Sequence, residues 1–175
     1  MDVSSTGLTL RPSWRLLFRH PAYFIAFGGG AGLAPFAPGT FGTLLAWALY
    51  WLIAPWFTQA GATGPSYEFL LAVGALFGLG IWACDVTGRA IGVLDHGGMV
   101  WDEVVAFMLV LFFVPATVAW QAAAFLLFRF FDIFKPPPIR YYERIFRNGF
   151  GVMIDDIVAA LYTLMVFALA KTIIQ

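Results

Sequence analysis

The stretch FGTLLAWALYWLIAPWF, Phe41 to Phe57, carries no charged side chain. It approaches the ~20 apolar residues that a helix needs to cross the hydrocarbon core of a bilayer. Four more apolar runs follow it. Tyr67 to Cys84 is charged only at Glu68, Val104 to Val114 and Val118 to Phe131 are shorter, and Ile157 to Ile174 is interrupted only by Lys171. Pro55 is expected to end the first run, and the segment Gln59 to Ser66, QAGATGPS, reads as an uncharged turn. Pro115 separates the two short runs, which read as a helical hairpin or as a pair of tilted, mismatched helices. Strands are excluded, because a lone lipid-exposed strand leaves its backbone unsatisfied and a barrel requires an alternation that is absent here. The expected fold is therefore all-α, a polytopic integral membrane helical bundle with roughly four to five membrane-embedded helices.

Composition supports this reading. The chain is 61% hydrophobic and 11% charged, against about 25% charged in a soluble domain. Its 175 residues make one domain, 1–175, with an N-terminal cytoplasmic or interfacial segment, 1–27, and a core, 28–175. A formal net charge of zero supplies no field that would draw the chain to nucleic acid. The single cysteine, Cys84, excludes an intramolecular disulfide and reads as a small buried hydrophobe. The first twenty residues are mixed and carry Arg11, Arg15 and Arg19, unlike a cleavable signal peptide. Gly74, Gly78 and Gly80 have the small-residue spacing of close helix packing in lipid.

The charges are informative by position. Walking the chain across the membrane puts Arg11, Arg15, Arg19, Arg89, Arg129, Lys135, Arg140, Arg144 and Arg147 on one side and only Lys171 on the other. The positive-inside rule makes that shared side the cytoplasm. Every polar cluster then falls on one face, where distant stretches of chain can assemble a single site.

Six carboxylates sit near helix ends on that face: Asp95, Asp102, Glu103, Asp132, Asp155 and Asp156. Acids in the first turn of a helix are favoured by its dipole alone, which is the bland reading of the Asp102–Glu103 and Asp155–Asp156 pairs. Asp132 follows an apolar run, three residues after Arg129 on the same helix face. The pair is either a structural ion pair or part of a site, since charges at a membrane boundary are functional candidates by default. Neighbouring acids on a helix point about 100° apart. One of each pair is therefore expected to ligate a metal while the other acts behind it or on a second ion. Hard oxygen ligands suit Mg²⁺, Mn²⁺ or Ca²⁺, and Mg²⁺ commonly bridges carboxylates to phosphate.

Arg129, Lys135 and Arg140 lie beside these acids in RFFDIFKPPPIR, and guanidinium forks suit phosphate oxygens. For Arg144 and Arg147, attraction to anionic headgroups is explanation enough. The Gly-rich segment Gly28 to Thr43 lacks the GK[ST] ending of a phosphate loop. Thr40 and Thr43 nevertheless stand at a helix N-terminus, where backbone N–H groups either bind an anion or merely cap. His96, in LDHGG, is a possible participant that reads more simply as a loop residue.

Four motifs, GLAPFAPGTFGT (32–43), LDHGGMVWDEVV (94–105), FRFFDIFKPPPIR (128–140) and GFGVMIDDIVA (149–159), occur in this order. Together they resemble the phosphatidylglycerophosphatase A family over about Gly28 to Ala160. The resemblance implies an all-helical, Mg²⁺-dependent phosphatase of bacterial phospholipid synthesis, embedded in the inner membrane. It would release the terminal phosphate of phosphatidylglycerophosphate to leave phosphatidylglycerol. The family's motif residues map to Thr40, Asp95, Asp102, Glu103, Arg129, Asp132, Lys135, Arg140, Asp155 and Asp156. The chain departs from the family pattern at Ala106, Pro137, Glu143, Asn148, Gly149 and Ala160.

The expected site therefore holds Mg²⁺ on Glu103, Asp156 and Asp132 or Asp102. Asp102, Glu103, Asp132, Asp155 and Asp156 form the catalytic set, and Thr40, Thr43, Arg129, Lys135 and Arg140 bind the phosphate. Two other functions use similar residues: a phosphatase for another lipid or prenyl phosphate, and a small ion-coupled transporter. The transporter expects charges near the midplane, whereas these acids gather at one boundary.

Overall fold

The structure is a computed structural model and describes residues 12–60, 64–137 and 145–174. In order, these form α1 (Trp14–Leu17), α2 (Pro21–Ala26), a 3₁₀ segment (Gly28–Leu33), α3 (Pro38–Phe57), α4 (Tyr67–Ile91), α5 (Trp101–Phe113), α6 (Val118–Phe134) and α7 (Gly149–Ile174). The described residues are all-α, as their hydropathy requires. Three of the helices are long and apolar enough to cross a membrane: Pro38–Phe57, Tyr67–Ile91 and Gly149–Thr172.

Local chemistry sets the helix ends. Pro38 opens α3, where its missing N–H is no loss, and α4 stops at Gly92, which adopts the left-handed φ of 78°. α5 ends just before Pro115, and the Thr117 hydroxyl accepts from Trp120 N–H to start α6. Asn148 starts α7, its Oδ1 accepting from Gly151 N–H at 3.1 Å.

Several boundaries differ from the hydropathy reading. α3 continues through Pro55 to Phe57, because a proline one turn from the C-terminus removes only one hydrogen bond. α4 runs past Cys84 to Ile91, and α7 begins eight residues before Ile157. Both extensions carry charged residues, Asp85 and Arg89 in α4 and Asp155 and Asp156 in α7, which is why the apolar runs stop short of them. Of the three α4 glycines, a side chain at Gly80 would strike Met153 and Trp101, whereas Gly74 and Gly78 face open space. Only Gly80 therefore serves close packing.

α5 is the centre of the bundle. Val104 to Met108, Val110 and Leu111 are all buried, and α3, α4 and α7 pack around them. A short helix that is apolar on every side belongs in an interior. α6 packs chiefly on α7, and α2 on α4, so Leu17, Ala22, Ala26 and Phe27 near the N-terminus share the same core. Gln121 of α6 is fully buried and its Oε1 accepts from the Trp47 indole N–H of α3 at 2.7 Å. Large apolar side chains such as Trp51, Leu52, Leu71, Leu126, Leu161 and Leu169 point outward. A surface of that kind is a liability in water and ordinary in lipid.

The starts of α3, α5 and α7 meet the ends of α4 and α6 at one end of the bundle. Gly39 abuts Glu103 and Arg129, and Gly149 abuts Asp85. The α3–α4 and α5–α6 turns lie at the other end, where Phe69 stacks on Phe112 and the Ser66 hydroxyl donates to Glu68.

Candidate active site

The end where those termini meet holds a cavity of about 380 Å³. Asp95, Asp102, Glu103, Asp132, Asp155 and Asp156 line it, with Arg129 and Lys135 as the cations among the described lining residues. Carboxylates outnumber cations there, so the cavity calls for additional positive charge.

α5 supplies Asp102 and Glu103 from its first turn, with Asp102 Oδ1 accepting from Glu103 N–H at 3.1 Å. α7 supplies Asp155 and Asp156, each 4% exposed. Ligand oxygens of Asp102, Glu103 and Asp156 all lie within 4.8 Å of one another. Asp155 turns instead toward Lys135, whose Nζ is 3.7 Å from its Oδ2. The α7 pair thus divides as helix geometry predicts. The α5 pair does not, since Asp102 and Glu103 reach the same point. The longer glutamate arm and the folding of Asp102 back onto the backbone compensate for their angular separation.

α6 brings Arg129 and Asp132. Arg129 Nη1 lies 2.5 Å from Asp132 Oδ2, 3.5 Å from Glu103 Oε1 and 3.5 Å from Thr43 Oγ1. One guanidinium nitrogen therefore ties α6 to α5 and α3. Arg129 Nε is buried without a hydrogen-bond partner, which leaves a donor for a ligand. Gly39 makes this arrangement sterically possible, because a Cβ there would meet Glu103 Oε1 and the Arg129 guanidinium. Among the described residues, Ala37 and Lys135 are the non-glycine residues with positive φ, 45° and 43°. Both line the cavity, and strained backbone of this kind gathers at functional sites.

The donor set fits a hard divalent cation. Glu103 Oε2 and Asp156 Oδ2 are buried without hydrogen-bond partners, a costly state for a carboxylate unless a cation meets it. All the donors are oxygens, as Mg²⁺ prefers.

Other expected residues fall elsewhere. Thr40 does not line the cavity, and its N–H is already spent on Ala37 C=O at 2.9 Å. Thr43 is buried, donating to Gly39 C=O at 2.9 Å, so it braces Arg129 and the start of α3. His96 Nδ1 accepts from Gly98 N–H at 3.0 Å and serves its own turn. Asp95 is exposed on the rim. Arg140 and Arg144 lie outside the described residues.

Three residues have surroundings that sequence reasoning did not foresee. Asp85 Oδ1 accepts from Gly149 N–H at 3.3 Å, capping from α4 the helix that carries Asp155 and Asp156. Gly149 permits this contact, since a Cβ there would collide with Ile81 C=O and Asp85. Arg147, assigned above to headgroup attraction, lines a second cavity of about 330 Å³ that shares Asp95, Val152 and Asp155 with the first.

Known proteins resemble this chain over most of its length. The family model described as phosphatidylglycerophosphatase A matches residues 24–171. The chain is 42% identical over 157 residues to phosphatidylglycerophosphatase A of Haemophilus influenzae, covering 89% of this chain and 91% of that one. It is 38% identical over 148 residues to phosphatidylglycerophosphatase A of Escherichia coli K12, covering 83% and 80%. It is also 40% identical over 157 residues to a Bacteroides thetaiotaomicron protein with the provisional name phosphatidylinositol-3-phosphatase, covering 86% and 93%. No solved structure matches the chain. On these matches, the chain belongs to the phosphatidylglycerophosphatase A family, enzymes that remove phosphate from a membrane phospholipid.

Proposed function

We propose that this enzyme hydrolyses the phosphate monoester of phosphatidylglycerophosphate with Mg²⁺, yielding phosphatidylglycerol and inorganic phosphate. The observation that carries the reading is the convergence of Asp102, Glu103 and Asp156, with Glu103 Oε2 and Asp156 Oδ2 unpartnered, beside Lys135 and Arg129 in one cavity. Those three carboxylates would hold the ion, with Asp132 next to them. When bound, Mg²⁺ supplies Lewis-acid charge at the phosphate and lowers the pKa of water.

The remaining work falls to the chain's own residues. Arg129 fixes Glu103 and Asp132, and its unpartnered Nε offers one charged donor. Lys135 sets its ammonium at the cavity wall beside Asp155, where it offsets phosphate charge as the transition state forms. Water attacks phosphorus as the P–O bond to the glycerol oxygen breaks. The departing alkoxide takes up a proton to become the phosphatidylglycerol hydroxyl, balancing the one that the attacking water gives up as it becomes part of the phosphate. Arg140 is proposed to add charge from outside the described residues.

The enzyme is proposed to sit in the bacterial inner membrane, with α3, α4 and α7 crossing it and the shorter α5 and α6 embedded beside them. The positive-inside bias turns the cavity toward the cytoplasm. Asp102 and Glu103 occupy the first turn of α5 rather than its middle, which disfavours an ion path through the bilayer.

The Bacteroides relative's name supports a second reading, a monoester on another lipid headgroup. Phosphate release from phosphatidylglycerophosphate, phosphatidylinositol 3-phosphate and a prenyl phosphate, in neutral micelles, separates the readings. The first expects the highest kcat/KM on phosphatidylglycerophosphate, and preference for either of the others would replace it.

A further inference from the structure

The second cavity has no part in the chemistry above. It is lined by Leu94, Asp95, Phe146, Arg147, Asn148 and Gly151, and it shares a wall with the first through Asp95, Val152 and Asp155. Its cation among the described residues is Arg147. None of the described ion pairs engages Arg147, so its guanidinium is open to a ligand. Asn148 spends its carboxamide oxygen on Gly151 N–H, which leaves its NH₂ as a further donor.

The proposed substrate carries two anionic groups. One is the terminal monoester, and the other is the phosphodiester that joins the headgroup glycerol to diacylglycerol. The carboxylate cavity accounts for the first alone. We infer that the second cavity seats the phosphodiester, with Arg147 as the specificity-determining residue that recognises it. This rests on the reading of the chain as a phosphatidylglycerophosphate hydrolase.

The two non-bridging oxygens of a phosphodiester match the fork of a guanidinium. The shared wall then lies along the glycerol bridge, where the exposed Asp95 carboxylate accepts from a glycerol hydroxyl. Ile145 and Phe146 precede Arg147 and are 51% and 37% exposed. Apolar side chains beside the diester suit the start of the acyl chains. The same layout serves any lipid whose monoester is one polyol away from a membrane phosphodiester, and it offers nothing extra to a lipid phosphate without the diester.

The test compares Arg147→Ala and Arg147→Lys with the parent enzyme in neutral micelles, where no surface field acts. Two lipids are used: phosphatidylglycerophosphate, and phosphatidate, which has a monoester and no diester. Phosphatidate is followed as a substrate where it is turned over and as a competitor otherwise. Arg147→Ala is expected to raise KM for phosphatidylglycerophosphate by about tenfold or more, as loss of a charged hydrogen bond implies. Its effect on kcat and on the KM or inhibition constant of phosphatidate should stay within about twofold, and Arg147→Lys should recover part of the loss. Equal effects on the two lipids, or no effect on either, would overturn the inference. Failure of the parent enzyme to release phosphate from phosphatidylglycerophosphate would instead contradict the proposed function itself.

Discussion

Asp155 and Asp156 are neighbours in sequence and serve different partners: Asp155 Oδ2 lies 3.7 Å from Lys135 Nζ, while Asp156 joins Asp102 and Glu103. The helix places consecutive side chains about 100° apart, so the two carboxylates face different partners.

This division predicts unequal effects of two matched substitutions. Asp156→Asn should abolish turnover and Mg²⁺ binding together, since it neutralises one of three converging carboxylates. Asp155→Asn should keep Mg²⁺ binding and lower kcat/KM by ~10–100-fold, the usual effect of losing a group that orients the primary ones. Mg²⁺ titrations of both purified variants decide the point. Equal loss of Mg²⁺ affinity in the two would contradict the division.

Gly39 is predicted to tolerate no side chain. A Cβ would press on Glu103 and Arg129, and a displacement of about 1 Å in a catalytic group can cost ~10²-fold in rate. Gly39→Ala should therefore insert and fold yet lose about that much kcat/KM. Near-parental kinetics would show that the Arg129–Glu103 contact is dispensable.

Asp85 is predicted to act by positioning α7. Asp85→Ala removes the acceptor for Gly149 N–H, worth about 1 kcal/mol as a helix cap, and should lower both thermal stability and activity. Asp85→Asn keeps an acceptor and should rescue most of both. Arg89 is 71% exposed at its side chain, so Arg89→Ala should change stability by no more than ~0.5 kcal/mol. If Asp85→Asn proved as damaging as Asp85→Ala, the charge rather than the cap would be the relevant property.

Orientation is open to direct measurement. Cys84 is fully buried, so single cysteines introduced at Val93, Asn148, Gln59 and Thr117 can be labelled over a low background. Val93 and Asn148 should react only from the cytoplasmic side and Gln59 and Thr117 only from the opposite side. Labelling of Val93 from outside the cell would invert the proposed topology.

Much of this was legible in the sequence because membrane spans and stray charges stand out against each other. The apolar runs located α3, α4 and α7, and the carboxylates marked at the ends of α5, α6 and α7 line the cavity. Helix ends were less legible. Asp85–Ile91 carries two charges, and Gly149–Asp156 two glycines and two acids, yet both stay helical because they pack on each other and on α5. Asp85 itself was hidden because its partner is a backbone N–H far along the chain, and no residue type announces such a contact. Arg147 was hidden for the opposite reason. Every basic residue at a membrane face has a headgroup explanation, and only the cavity beside it separates one arginine from the rest. Thr40 stood out because a helix N-terminus offers free N–H groups in general, whereas its own N–H already donates to Ala37 C=O.

The most direct test of the account is phosphate release from phosphatidylglycerophosphate by the purified enzyme in neutral micelles, measured with Mg²⁺, after chelation and after Mg²⁺ is restored. The same series is run on Glu103→Gln, whose Oε2 is buried and without a hydrogen-bond partner. The account predicts activity that disappears with chelator and returns with Mg²⁺ in the parent enzyme, and none under any condition in a Glu103→Gln protein that still folds and inserts. Undiminished release in chelator, or a Glu103→Gln variant as active as the parent, would contradict it.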